Sequence, residues 1–141
     1  MLLKLYEIKI GQELPSRVKL ITQEEIDLYA KASHDFNPIH IDPVFARQTS
    51  AKGTIVHGML VLAYISQMMT DAFGLNWLAG GHFNIRFKTP AKPGDMLTIR
   101  GKVEKIVREQ FRIGHTTLQM ECAGDSSRMC GCGVLESAPK N

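Results

Sequence analysis

Two features are missing from this sequence of 141 residues: an apolar run long enough to cross a membrane and a cluster of basic residues. A transmembrane helix needs about 18 or more consecutive apolar residues, and the longest run here, around 59–65, is much shorter. The 17 Lys and Arg residues stand singly or in pairs and, against 14 Asp and Glu residues, give a net charge of +3. Nucleic-acid binders usually concentrate their basic residues in patches. We therefore predict a protein that neither spans a membrane nor binds nucleic acid.

Cysteine is also scarce, with three residues in the chain. The N-terminal segment lacks the apolar core of a signal peptide, because Lys4 and Glu7 interrupt it. We therefore expect a cytoplasmic protein with reduced thiols. Cys130 and Cys132 could supply two of the ligands of a metal site, but the sequence has no second ligand pair at the required spacing. Their predicted role is to fill space on one face of a strand.

The composition is that of a folded globular protein, with 44% hydrophobic and 22% charged residues. A chain of this length buries a substantial core, yet it is too short for several independent cores. We find no internal repeat, low-complexity segment or interdomain linker in the sequence. We therefore predict a single domain over 1–141.

The first half of the chain carries helix signals. Thr22 and Glu25 have the spacing of a capping box, which predicts a helix over 23–33. Asp42 followed by Pro43 suits the cap and the first residue of a second, short helix, because proline has no N–H to leave unpaired there.

A third helix is predicted over 58–73, and it is apolar nearly all round for its first two turns. A helix of this kind is buried rather than laid on a surface. Gly74 marks its C-terminal end. This segment is the predicted centre of the core.

In the second half, apolar residues alternate with polar ones, which predicts strands. The phase of this alternation changes near Gly114, which predicts a β-bulge. Together with an extended segment near the N-terminus, the predicted strands cover 17–21, 83–87, 97–103, 111–122 and 129–136.

These elements predict an α+β protein in which a curved antiparallel sheet wraps around the buried helix, the arrangement called a hot-dog fold. One helix cannot cover both faces and both edges of such a sheet. Two copies that paired their sheets edge to edge would remove an exposed edge. We therefore expect a homodimer or a larger homo-oligomer.

The loop between the first two helices brings Asp35 and His40 into one short segment that Pro38 stiffens. A carboxylate and an imidazole that are aimed at one water form an acid/base pair. Asn37 is suited to tie the loop through bonds from its side chain to the backbone, and Asp42 is assigned to capping rather than to catalysis. On these residue types alone, the alternative that Asp35 caps a turn and His40 is a partly buried polar residue is favoured.

Gly58 stands at the start of the predicted buried helix, where backbone N–H groups are unpaired and the potential is positive. Such donors suit a carbonyl oxygen that gains negative charge, as in an oxyanion hole. The alternative is that Gly58 only permits tight packing of the helix start. The neighbouring His57 is assigned a packing role at the same helix end.

The sequence resembles the MaoC-like dehydratase family, whose best-known members are (R)-specific enoyl-CoA hydratases. The likeness spans nearly the whole chain, and its core is an Asp-x-Asn-Pro-x-His motif that is specific for a chain of this size. The matching segments are 35–46 (DFNPIHIDPVFA), 55–60 (IVHGML), 85–90 (IRFKTP) and 93–95 (PGD).

The resemblance implies a role for each candidate residue. Asp35 and His40 would activate water, and the Gly58 N–H would face the carbonyl oxygen of a thioester. Ser66, two turns into the central helix, would support the catalytic carboxylate. The family uses no metal and no redox cofactor, and its substrate tunnel lies near a dimer interface. One departure is His34, which stands where many members have glycine.

The main hypothesis is therefore a hydro-lyase: an (R)-specific enoyl-CoA hydratase, or 3-hydroxyacyl-CoA dehydratase in reverse, whose partner is an enoyl thioester. One alternative keeps the chemistry and uses an acyl carrier protein, as in a 3-hydroxyacyl-carrier-protein dehydratase of fatty acid synthesis. Two further alternatives are a hot-dog acyl-CoA thioesterase and a non-catalytic acyl-CoA binding module. Against the thioesterase, Asp71 is the only acid late in the central helix and is expected to lie too far from Gly58.

Overall fold

The computed structural model describes residues 2–3, 7–87, 89–109, 112–123 and 128–135. Along these residues helices occupy the first half of the chain and long strands the second. In chain order the elements are β1 (Arg17–Leu20), α1 (Gln23–Ser33), α2 (Pro38–Ile41), α3 (Pro43–Gln48), α4 (Gly58–Phe73), α5 (Leu75–Gly80), β2 (Gly81–Arg86), β3 (Met96–Glu109), β4 (Arg112–Ala123) and β5 (Arg128–Leu135).

The strands form one five-stranded sheet in the order β1-β3-β4-β5-β2, and each neighbouring pair is antiparallel. β2 therefore pairs with the last strand of the sheet rather than with its neighbour in sequence. Helix α4 packs into the core with residues of β3, among them Leu97, Ile99 and Val103. The predicted α+β hot-dog arrangement is confirmed.

Helix α4 has the bounds that its apolar run predicts, and it ends at Gly74. Its buried side chains include Met69 and Phe73, which are at most 1% exposed. Complete burial of such side chains contributes about 1.5–3 kcal/mol each relative to exposure. Within the described ranges, no helix is long and apolar enough to cross a membrane.

The predicted bulge is present where β3 and β4 approach their connection. Val107 pairs with His115 and Glu109 with Arg112, so β4 carries one residue more than β3 between these two pairs. The extra residue falls at Gly114 or its neighbour, as the phase change in the sequence predicts. A second register shift, near Glu104 in β3, is not visible as a phase change in the sequence.

Helix α1 also has its predicted bounds, and the Thr22 hydroxyl accepts a hydrogen bond from the backbone N–H of Glu25. The Glu25 carboxylate contacts the Lys19 ammonium at 2.5 Å. It also accepts a hydrogen bond from the Tyr64 hydroxyl at 3.4 Å. Burial, with the negative charge of Glu25 beside it, raises the pKa of Tyr64 to about 12. This cluster joins β1, α1 and α4.

Two short helices depart from the sequence prediction. α2 forms because Pro38 occupies its first position and the Asn37 side chain accepts from the Ile39 N–H, so part of the predicted loop is one helical turn. α5 follows Gly74 directly and has no side-chain cap to announce it. It forms because Trp77 is buried against Phe83, with ring centroids 4.5 Å apart, and this tertiary contact is not written in local sequence.

The predicted space-filling role of Cys130 and Cys132 concerns side chains that lie outside the described residues. Their backbones occupy alternate positions of β5, where they pair with β2 and β4. The predicted role of their side chains therefore stays a prediction.

Gly81 gives a test of how tightly α5 and β2 are packed. A Cβ atom at this position would overlap the Trp77 ring. We expect Gly81→Ala to lower the free energy of unfolding by about 1–3 kcal/mol, because overpacking forces side chains or backbone to shift. Urea denaturation measures this change. The control is Gly53→Ala, where the added atom meets open space, and an unchanged stability of Gly81→Ala would contradict this account.

Candidate active site

The loop between α1 and α3 is held by its own polar side chains. The Asp35 carboxylate accepts from the backbone N–H of Asn37 at 3.2 Å, and the Asn37 side chain accepts from the N–H of Ile39 at 3.2 Å. Asp42 then caps α3 by accepting from two backbone N–H groups, as its position before a proline predicts. Short bonds of this kind hold turns in one conformation, so the loop presents its side chains in a defined geometry.

Asp35 is exposed and takes part in the turn through one carboxylate oxygen. The capping role that the sequence analysis weighed as an alternative is therefore present. An ionised carboxylate has two oxygens and about four lone-pair sites. The turn bond thus leaves acceptor capacity for a bound water, and the two roles are compatible.

His34 ends α1 in the left-handed region, with φ 58°. A side chain in this region clashes with the following carbonyl, and glycine avoids that cost. This conformation explains why glycine suits the position in the family that the sequence resembles. The strained backbone of His34 directly precedes Asp35.

His40 is half-buried, and its ring nitrogen Nδ1 lies 2.8 Å from the carbonyl oxygen of Ile55. Because a carbonyl oxygen only accepts hydrogen bonds, Nδ1 must carry the proton. In the neutral ring, Nε2 then presents a lone pair. This contact selects the tautomer that can act as a base through Nε2.

His57 lies at the centre of the site, although the sequence analysis assigned it to packing. It is 2% exposed, and its ring stacks on that of His40 with centroids 3.8 Å apart and planes 25° apart. Its Nε2 lies 3.1 Å from the carbonyl oxygen of Asp35. The one sequence signal for this role is its place next to Gly58 at the helix start.

Gly58 is the first residue of α4 and lines a cavity of about 300 Å³ together with His40. A Cβ atom on Gly58 would lie 3.0 Å from the Phe87 ring. Its lack of a side chain therefore serves packing, the alternative raised from the sequence, and also leaves the helix start open to a ligand. The other lining residues are Ile55, Val56, Val61, Phe87, Thr89, Pro90 and Ala91.

Ser66 of α4 contacts a residue of α5. Its hydroxyl oxygen accepts a hydrogen bond from the indole N–H of Trp77 at 3.0 Å. It lines a second cavity, of about 420 Å³, with Tyr29 and Met59 among the other lining residues. Support of Asp35 by Ser66 stays a prediction.

The same side chains are of the types that ligate metal ions. One potential ligand atom each from Asp35, His40 and His57 lies within 4.8 Å of the others. Zinc–nitrogen bonds of about 2.0 Å in a tetrahedron need ligand atoms roughly 3.3 Å apart. The absence of a metal, expected from the family resemblance, stays a prediction for this site.

The hot-dog domain, with Asp35 and His40 near the start of its central helix, can be assigned to a family by comparison with known proteins. The family model described as "MaoC like domain" matches residues 7–124. The chain therefore belongs to the MaoC-like domain family. This result confirms the resemblance seen in the sequence.

Individual relatives agree with this assignment. The chain is 32% identical over 113 residues to the (R)-specific enoyl-CoA hydratase of Aeromonas caviae, covering 79% of this chain and 83% of that protein. It is 33% identical over 106 residues to a mitochondrial 3-hydroxyacyl-[acyl-carrier-protein] dehydratase of Arabidopsis thaliana, covering 74% of this chain and 60% of the plant protein. The solved R-hydratase PhaJ1 of Pseudomonas aeruginosa superposes with a TM-score of 0.77 at 25% identity, covering 97% of this chain and 86% of that one.

The strain at His34 gives a prediction about stability beside the site. We expect His34→Gly to raise the free energy of unfolding by about 1 kcal/mol, because glycine adopts positive φ without a steric cost. Thermal and urea denaturation measure the change. In the matched control, Ser33→Gly, the glycine replaces a residue of the helix itself and should destabilise. A His34→Gly variant less stable than wild type would contradict the strain argument.

Proposed function

We propose that this chain is an (R)-specific enoyl-CoA hydratase, a hydro-lyase that reversibly adds water across a trans-2-enoyl thioester. The observation that carries the proposal is that one loop brings a carboxylate oxygen of Asp35 within 4.8 Å of a ring nitrogen of His40. The His40 ring, held through Nδ1, lines the cavity at the start of α4. Relatives named as such hydratases support it. The (R) configuration of the product rests on those names, because no distance within this chain specifies it.

The chemistry follows from the polarity of an enoyl thioester, whose C3 is electrophilic. Water between Asp35 and His40 gives up a proton to the pair while its oxygen bonds to C3. Negative charge develops on the thioester oxygen, where the Gly58 N–H at the positive end of α4 stabilises it. The pair returns one proton to C2, so both residues end in their starting states. Dehydration follows the same path in reverse.

A second candidate function differs only in the carrier of the acyl group. The Arabidopsis relative is named as a dehydratase of acyl-carrier-protein substrates, and the chain spans less than two thirds of its length. The same Asp35–His40 chemistry would serve both carriers. Rates on crotonyl-CoA and on a crotonyl-acyl carrier protein, measured side by side, distinguish the two functions.

The thioesterase alternative finds little support in the described residues. Asp71, the acid late in α4, forms an ion pair with Arg17 of β1. The Gly58 end of the helix lies more than three turns away along the same axis. A carboxylate engaged at that distance is poorly placed to activate water at the cavity beside Gly58.

A second copy of the chain and a cytoplasmic location complete the proposal. Met59 and Leu78 are exposed apolar residues that both line the cavity of about 420 Å³, so they lie close together. Large exposed apolar side chains that cluster on a surface favour contact with another protein. A homodimer would cover such residues, and larger assemblies of dimers remain compatible with the same contact.

Two substitutions test the catalytic pair. We expect the wild type to hydrate crotonyl-CoA, seen as loss of absorbance of the conjugated thioester. Asp35→Asn and His40→Gln should each lower kcat/KM at least about a hundredfold, because each removes acid/base assistance. Asp42→Asn is the matched control, since asparagine caps a helix as well as aspartate does. It should retain activity.

The same assay separates the alternatives. A wild type that hydrates no enoyl-CoA of any chain length sinks the hydratase proposal. Release of free coenzyme A in place of hydration would identify a thioesterase. Tight binding of acyl-CoA without either reaction would identify a binding module.

The expected absence of a metal gives a separate prediction. We expect dialysis against EDTA, followed by assay in chelator, to leave the hydration rate within about twofold of the untreated enzyme, because Asp35 and His40 supply proton transfer themselves. Elemental analysis of the dialysed protein confirms that metal has been removed. A large loss of activity that zinc restores would show that the site works through a metal.

A further inference from the structure

We propose that His57 is a positioning residue that fixes Asp35 and His40 relative to each other, an inference that rests on the proposed function. Three contacts carry it. The His57 ring stacks on the His40 ring, its Nε2 bonds the backbone of Asp35, and its own backbone directly precedes Gly58. One buried residue thus touches or adjoins every group assigned to the reaction.

The hydrogen bond to Asp35 defines the state of the His57 ring. The Asp35 carbonyl oxygen only accepts, so Nε2 of His57 carries the proton. In the neutral ring, Nδ1 then holds a lone pair, and among the described residues it has no hydrogen-bond partner. His57 therefore donates one hydrogen bond, to the backbone carbonyl of Asp35. If this bond were lost, the buried N–H of the ring would have no partner, which costs free energy.

The catalytic ring is held on its edge and on its face by one short segment. Ile55 accepts from Nδ1 of His40 at 2.8 Å, while His57, two residues on, covers the ring face at 3.8 Å between centroids. The first contact alone leaves the ring free to swing about its hydrogen bond. The second removes that freedom and so fixes the direction in which Nε2 points.

His57 is itself prevented from moving. The ring of Tyr29, from α1, lies 5.0 Å from the His57 ring at an angle of 57°. The carbonyl of His57 accepts from the N–H groups of Leu60 and Val61 in the first turn of α4. The ring is therefore packed between α1 and His40, and its backbone is part of the buried helix.

This arrangement predicts an effect on turnover rather than on binding. Displacement of a catalytic group by about 1 Å can cost on the order of a hundredfold in rate. His57 does not appear among the residues that line the cavity beside Gly58. Loss of its contacts should therefore lower kcat and leave KM within about threefold.

Two variants separate the two contacts of His57. His57→Phe keeps an aromatic ring to stack on His40 and removes the bond to Asp35. His57→Gln keeps an amide donor for Asp35 and removes the stacking ring. We expect each to lower kcat for crotonyl-CoA about tenfold or more. Ile99→Val is the control: Ile99 is buried and pairs with Arg17 of β1, which contacts Asp71 far from Gly58 along α4. It should lower the melting temperature without changing kcat.

A double substitution tests whether His57 acts through the pair. In a His40→Gln background, adding His57→Phe should cost less than about threefold, because residues that act as a unit are not additive. A full tenfold further loss would overturn the proposal. So would a normal kcat in both single variants, or a change confined to KM.

Histidine-ring NMR on the wild-type protein gives a readout independent of substrate. We expect slowly exchanging ring protons on Nδ1 of His40 and on Nε2 of His57, and loss of slow exchange at His40 in His57→Gln. The opposite tautomer of His57 would overturn the proposal even if a variant failed to fold. If the wild type hydrates no enoyl thioester, the function fails, while the spectra still decide whether His57 orients His40.

Discussion

Burial of α4 governs the site, because the first residue of this helix and the residue before it both belong to the site. The segment that enters the helix is held by backbone bonds on two sides: Val56 donates to Ala91, and Ile55 donates to Ile39. Moving the helix start would break apolar contacts worth about 25 cal/mol for each Å² exposed. The loop with Asp35 and His40 therefore lies against a rigid helix start. Acid/base catalysis depends on such fixed positions of the reacting groups.

Much of the fold follows from local sequence. The apolar run over 58–73 and Gly74 define α4 to the residue, and Thr22 does the same for the start of α1. Helix α5 escapes prediction because only its contact between Trp77 and Phe83 makes it favourable. β3 runs beyond its predicted end at 103 because pairing with β4 continues through two register shifts. Where tertiary packing determines whether an element forms, the propensity and periodicity of the local sequence do not reveal it.

The residues of the candidate site also differ in how far local sequence indicates them. Asp35, His40 and Gly58 carry local signatures, a proline-stiffened turn and a helix start, and the structure brings His40 and Gly58 to one cavity. His57 has only its place next to Gly58 as a local signal, because its stacking contact is with a residue from another segment. Ser66 shows a related case: its role toward Asp35 is implied by resemblance alone, and the contact with Trp77 was not indicated by the sequence. Contacts between residues from different segments become visible only in the three-dimensional structure.

The position of β2 at the end of the sheet has a consequence for how the chain folds. Gly81 pairs with Leu135, so the strand that leaves the helical half finds its partner only in the last strand of the sheet. During synthesis, α4 and the loop that carries Asp35 and His40 emerge well before that partner exists. Sheets built on such distant pairings form slowly and expose apolar surface meanwhile. Asp35 and His40 would therefore be made early but become rigid late, once the last strand has paired and the sheet is complete around the helix.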